Sequence, residues 1–298
     1  MSDQPKYMGG QAVVEGVMMR GVTTWAVAVR TPDGGIDVAV HDVPGWAERY
    51  NKIPLLRGVM NLAESMSLGM RALTWSANLQ MPEEERLSKA AMGVTMTVSM
   101  ALFMGIFILL PALGARGLGS LFGISGVWFH AMEGALVLSL FLGYLTAIGR
   151  MKEIKKVFQY HGAEHKSIAA YENDVPLTPE SAQTFTTAHV RCGTNFLLTV
   201  LTIAIIVYSL IGRPSLPYLV LSRVILIPVI AGLAYELIRF AARNMDRHWV
   251  RIAMIPGLSL QKLTTREPTL AQIEVAIAAL RAVFTADQSA EVDARIAA

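Results

Sequence analysis

Four stretches of this chain are long and apolar enough to cross a lipid bilayer, and no other feature restricts its fold as severely. They cover residues 90–114, 124–148, 194–212 and 216–240. A helical crossing takes about 20 apolar residues at about 1.5 Å each. In hydrocarbon the backbone must satisfy its own hydrogen bonds, which makes each stretch a helix. Composition agrees, with 53% hydrophobic and 16% charged residues and a mean hydropathy of +0.43. The expected fold is mainly α, a polytopic membrane protein with four transmembrane helices. The single cysteine excludes an intrachain disulfide. Residues 1–6 lack an apolar core and a small-residue cleavage site, so no cleaved signal peptide is expected.

The net charge of +3 matters less than its placement. Arg150, Lys152, Lys155, Lys156, Lys166 and Arg191 lie between the second and third stretches, and Arg243, Arg247 and Arg251 follow the fourth. The two opposite loops carry only Arg116 and Arg213. By the positive-inside rule the N-terminal region, the central loop and the C-terminal tail are cytoplasmic, with both termini on that side. Three parts are expected. Residues 1–89 form a peripheral region, residues 90–243 a four-helix membrane part with a cytoplasmic helical hairpin at 150–193, and residues 244–298 a cytoplasmic segment.

That hairpin carries the densest chemistry. In His161-Gly162-Ala163-Glu164-His165, a helix stacks the imidazoles one turn apart with Glu164 on the same face. The order is that of the inverted zinc-protease motif, in which two histidines hold the metal and the carboxylate activates its water. His189 and Cys192 follow at helical spacing. Glu236, about 30 Å down the fourth stretch at its cytoplasmic end, is within reach of the same site. The expected cofactor is Zn²⁺ or another divalent metal. His161, His165, His189 and Glu236 are candidate ligands, Glu164 a general base, and Cys192 a ligand or a nucleophile activated by His189.

Elsewhere, residues 25–30 and 36–40 read as a β hairpin around Thr31-Pro32-Asp33-Gly34-Gly35. In the glycine-punctuated run before it, Glu15 and Arg20 either reach a site or pair structurally. Residues 55–79 form an amphipathic helix with Leu55, Val59, Leu62, Met66, Met70, Leu73 and Ala77 inward and Arg57, Asn61, Glu64 and Arg71 outward. Its place is the membrane surface or the bundle. Within the stretches, His130 and Glu133 in the second and Arg223 in the fourth lie at similar depth, and Glu133 is expected to pair with Arg223. Pro228 is expected to kink the fourth helix. Residues 256–268 read as turn-rich. Thr269 and Gln272 then box the start of a helix with Leu270, Ile273, Ile277, Leu280 and Phe284 on one face, and a frayed tail from residue 288.

GGQAVVEGVMMRG, HGAEHK, HVRCGTNF, AYELIR and PGLSLQKLTTREP occur in this order along nearly the whole chain. Together they resemble the YqhQ-like family of bacterial multi-pass membrane proteins, a family of unsettled biochemistry. The resemblance implies a location in the bacterial cytoplasmic (inner) membrane. It also marks Glu15, Arg20, His161, Glu164, His165, His189, Arg191, Cys192, Glu236 and the Thr264 to Glu267 segment, with Arg266 and Glu267, as motif positions. Val190 departs from the family pattern, which often has proline there, and implies a looser turn before Arg191.

Three functions fit these residues. The first is a metal-dependent, peptidase-like membrane hydrolase. The second is a non-enzymatic platform whose metal site is structural and which recruits a cytoplasmic protein or ribonucleoprotein. The third is an oligomeric ion transporter using His130, Glu133 and Arg223. The lipid bilayer is a partner in all three, and no nucleic-acid-binding motif is present.

Overall fold

The computed structural model describes residues 8–86, 88–211 and 215–296. Arg213 and residues 1–6 lie outside them. The chain opens with a four-stranded antiparallel meander, β1 (Gly9–Val13), β2 (Gly16–Arg20), β3 (Thr24–Arg30) and β4 (Ile36–Asp42), in the order β1-β2-β3-β4. The β3–β4 hairpin is as expected. The β1–β2 hairpin is new: Glu15, at φ 52°, takes the left-handed turn between the two strands.

Helix α1 (Leu56–Leu79) follows a short 3₁₀ turn. Its buried residues are Gly58, Glu64, Leu68, Gly69, Ala72 and Ser76, while Met66 is exposed. The expected inward face is therefore corrected. Glu64 is fully buried because Arg20 pairs with it and the Ala47 N–H donates to its other oxygen at 3.2 Å. A buried carboxylate so neutralised belongs to the core, although periodicity counts it as polar.

The first apolar stretch comprises α2 (Lys89–Met104), a π-helical turn (Gly105–Leu109) and α3 (Leu110–Phe122), longer than expected. Next come α4 (Gly126–Ile148), α5 (Lys152–Glu172), the short α6 (Pro179–Gln183), α7 (Gly193–Ile211) and α8 (Leu216–Arg243). Among the described residues, four segments, Ala90–Phe122, Trp128–Ile148, Gly193–Ile211 and Leu221–Arg243, are long and apolar enough to cross a membrane. Glu133 and Arg223 pair as expected, with the guanidinium over the Tyr208 ring and His130 Nδ1 3.7 Å from Glu133.

Residues 256–268 are not turn-rich. Helix α9 (His248–Thr264) runs through Pro256, and residues 265–269 after it carry no regular structure. Then α10 (Leu270–Ile296) starts at its Thr269/Gln272 box and stays helical through the expected frayed tail. Its buried face is Ile273, Ala276, Ile277, Leu280 and Val283, with Leu270 and Phe284 exposed.

The sheet unites these pieces. On one face, Val17, Met19, Ala26 and Ala28 meet Tyr160 and Ala163 of α5, Ala182 of α6 and the α10 stripe. On the other face, Val13, Met18, Trp25, Val27 and Val29 meet Leu68 and Ala72 of α1. Segments separated at residues 89, 150–193 and 243 in the sequence thus share one core. Its burial supplies the driving force that short strands lack. Arg57 pairs with Glu236, and α1 packs on α8 there, which ties the sheet unit to the apolar bundle.

Candidate functional site

Helix α5 presents His161 and His165 on adjacent turns, with ring centroids 4.4 Å apart. Each imidazole is fixed by a backbone carbonyl. His161 Nδ1 lies 2.9 Å from the Thr264 oxygen and His165 Nδ1 2.5 Å from the Thr187 oxygen. A carbonyl only accepts, so Nδ1 carries a proton in both rings and Nε2 is the nitrogen left to face other partners. The third donor is Cys192, at the entry to α7, with Sγ 3.3 Å from His161 Nε2. One ligand atom from each of His161, His165 and Cys192 lies within 4.8 Å of the others.

Backbone packing places those carbonyls. A Cβ on Gly162 would stand 2.2 Å from the Arg266 oxygen, so glycine lets residues 265–268 lie directly on α5. The Arg266 N–H donates to the Phe158 oxygen at 2.9 Å, which holds Thr264 beside His161. On α9, Gln261 clamps His189: it accepts from the His189 N–H and donates to the His189 oxygen, both at 2.8 Å. Asn195 Nδ2 donates to the Val190 oxygen at 2.7 Å, so the turn before Arg191 is held despite the missing proline.

Glu164 is buried against β1. A Cβ on Gly10 would stand 2.8 Å from its carboxyl group, and Oε2 has no hydrogen-bond partner among the described residues. Burial pushes this carboxyl up to about 8; His161 opposes the rise and Cys192 adds to it. Burial, and then His161 and His189, push His165 down to about 3 against the pull of the Thr187 carbonyl, so its imidazole is neutral. Burial raises the Cys192 thiol, although bonds to Thr194 lower it. Burial likewise lowers His189.

The expected site is thus partly assembled. His161, His165 and Cys192 converge, with Glu164 beside them. His189 is adjacent, its ring 5.5 Å from that of His165, but its Nε2 faces Glu172 at 3.4 Å, where Arg191 also pairs. Cys192 therefore meets His161 rather than His189. Glu236 is elsewhere: Arg57 holds it through Nε at 2.6 Å and through Nη2, and it is not in the donor group. Glu15 pairs with Lys156 at 2.6 Å, and Arg20 with Glu64. Glu267 binds the buried Lys166 at 2.7 Å, and Arg266 Nη1 donates to the Lys262 oxygen at 2.9 Å. These four hold α5, β2 and the 265–268 segment in place. Sequence reasoning missed Thr187 and gave no role to Gln261 or the Thr264 carbonyl, although both residues lie in the PGLSLQKLTTREP motif; Gly162, inside the histidine motif, is the signal of a backbone approach.

Three neutral-ligand features recur in this arrangement: two imidazoles with committed Nδ1 protons, a thiol at a helix entry, and a carboxyl alongside. Such a set suits a borderline-soft divalent metal, because the carbonyl bonds orient each ring and make it more basic. Without a cation, the Cys192–His161 contact is a Cys–His pair in a buried place that disfavours the thiolate.

Residues 53–286 match the family described as "Protein of unknown function (DUF1385)". The chain is 36% identical over 294 residues to "Uncharacterized protein YqhQ" of Bacillus subtilis (strain 168), across 92% of this chain and 91% of that protein. No solved structure matches it significantly. With motifs, family match and relative in agreement along most of its length, the chain belongs to the DUF1385 family.

Proposed function

We propose that this protein is a metal-dependent hydrolase of the bacterial cytoplasmic membrane, peptidase-like in chemistry, with a divalent metal, foremost Zn²⁺, on His161, His165 and Cys192. The observation that carries the reading is the convergence of these three donors with both Nδ1 protons tied to carbonyls. Catalytic zinc sites use three protein ligands and leave one position for water, whose pKa the metal lowers to about 7. In this reading Glu164 is the general base, a role supported by its buried oxygen without a hydrogen-bond partner among the described residues and by a pKa raised to about 8, close to that of the metal-bound water. The four apolar helices cross the bilayer with the sheet unit in the cytoplasm. Lys152, Lys155, Lys156, Arg243, Arg247 and Arg251 near the sheet-side helix ends support that orientation.

Elemental analysis of the purified protein, reconstituted with zinc, tests the site. About one metal per chain is expected in the wild type and in Glu164→Gln, and none in His161→Ala. Hydrolysis of a peptide and ester panel by Glu164→Gln is expected to fall about 10²–10⁴-fold. A metal-free wild type sinks the proposal.

Burial favours a second reading, a structural metal in a membrane platform. His165 is 2% and Cys192 6% exposed, and a metal there would staple α5 to the 187–192 segment. Metal retained in Glu164→Gln with function unimpaired would select it.

A further inference from the structure

Helix α9 lies across the end of the apolar bundle nearest the sheet. Its first turns pack Val250 and Met254 against Ile238 and Ala241 in the last turns of α8. Its middle meets the start of α7, where a Cβ on Gly257 would stand 2.4 Å from Asn195 Oδ1. Its last turn reaches the end of α4, with the Leu263 oxygen 3.8 Å from a Cβ built on Gly149. Three successive contacts with three helix ends orient α9 across the bundle.

The opposite face of α9 is largely open among the described residues. Trp249, Ile252 and Ile255 are 56%, 53% and 55% exposed, and Ala253 and Pro256 are exposed beside them. This face is continuous with the exposed apolar surface of α8, because Phe240 lies 6.0 Å from Trp249, ring to ring, and Leu237 is exposed one turn earlier. The adjoining edge is basic. Arg243, Arg247, His248, Arg251 and Lys262 are exposed there, with Asp246 the one acidic residue between 237 and 266. One packing face, one bare apolar face with a tryptophan and one basic edge make the profile of a helix lying in a bilayer surface.

We propose that α9 is an in-plane interfacial helix whose Trp249, Ile252 and Ile255 enter the headgroup boundary while Arg247 and Arg251 engage anionic phospholipid phosphates. The inference rests on the bundle crossing the membrane, and not on any metal or hydrolysis. It also places the His/Cys site relative to lipid, since the same helix supplies Gln261 and the Thr264 carbonyl to His189 and His161.

The test uses the full chain in nanodiscs of phosphatidylcholine and phosphatidylglycerol whose acyl chains are brominated near the headgroup. Wild type, Trp249→Phe and Trp128→Phe are compared. Trp128, 77% exposed at the start of α4, reports on the far end of the bundle. Each substitution is expected to remove a quenched component, about one fifth of the emission of five comparable tryptophans. Quenching lost in Trp128→Phe but unchanged in Trp249→Phe, with Trp249 open to an aqueous quencher, overturns the interfacial helix while the spanning bundle stands. No quenching at either position overturns both. In native mass spectrometry, Arg247→Ala with Arg251→Ala should lower retention of phosphatidylglycerol over phosphatidylcholine by about fivefold or more. Unchanged retention removes the anionic-lipid contact.

Discussion

In the apolar bundle a buried cation meets a buried anion: Arg223 pairs with Glu133 and stacks on Tyr208. In the sheet unit two imidazoles, a thiol and a carboxyl crowd together with no cationic side chain among them. Lys166, next in sequence to His165, turns to the Gln183 oxygen and Glu267, each at 2.7 Å. Burial of polar groups is common to both clusters, so burial does not separate a lock from a site. Charge closure does. The bundle cluster holds opposite charges that balance each other, whereas the His/Cys cluster is built from groups that burial keeps neutral and that offer lone pairs.

The largest effect expected from this contrast is in the bundle. Arg223→Met leaves Glu133 buried without its partner and should cost about 3–5 kcal/mol. Arg223→Met with Glu133→Leu removes both charges and should recover most of that loss, read as thermal unfolding in detergent. A double variant as unstable as the single one would break the comparison, since the pair would then do more than balance charge.

The two clusters were also unequally legible in the sequence. Glu133 and Arg223 were readable as a pair because hydrocarbon leaves a charge few alternatives and depth follows from rise per residue. The same arithmetic misplaced Glu236. Height along a helix does not give direction around it, and Arg57, 179 residues earlier, faces it instead. His161 and His165 followed from spacing alone. Their orienting groups did not, because the Thr187 and Thr264 carbonyls are backbone atoms that any residue type would supply. The β1–β2 hairpin escaped because Gly9, Gly10 and Gly16 lower strand propensity. Gly10 is there for the room that Glu164 takes, which only the packing reveals. Glu64 hid the inward face of α1 by being a buried charge at a core position.

A second, smaller effect sharpens the site side of the contrast. A Cβ at Gly162 would stand 2.2 Å from the Arg266 oxygen, so Gly162→Ala must push residues 265–268 off α5 and carry the Thr264 carbonyl away from His161. Stability should fall by about 1–3 kcal/mol. Metal affinity, measured by chelator competition, should weaken about 10–100-fold, as when an orienting bond is lost. Gly9→Ala, which meets nothing within 4 Å, is the control. Unchanged affinity in a destabilised Gly162→Ala protein would separate the backbone approach from the site.

The smallest effect concerns a carboxylate closed in a third way, by neutral donors. Asp287 on α10 accepts from the Val22, Thr23 and Thr24 N–H groups and from both threonine hydroxyls, at 2.7–3.2 Å. Burial works to raise its pKa, but the Thr23, Thr24 and Val22 bonds outweigh it and hold the group below the usual carboxylate range. Its folded value is thus below its unfolded value of about 3.9. The stabilisation is complete above that pH and is lost as pH falls through the folded value. Asp287→Asn keeps the shape and should cost about 1 kcal/mol near neutrality. The difference from wild type, followed by unfolding at stepped pH, should shrink only under strongly acidic conditions. A difference that persists there would mean that shape rather than charge anchors α10. It would also remove the contrast with Glu164, whose Oε2 receives none of the donors that Asp287 collects.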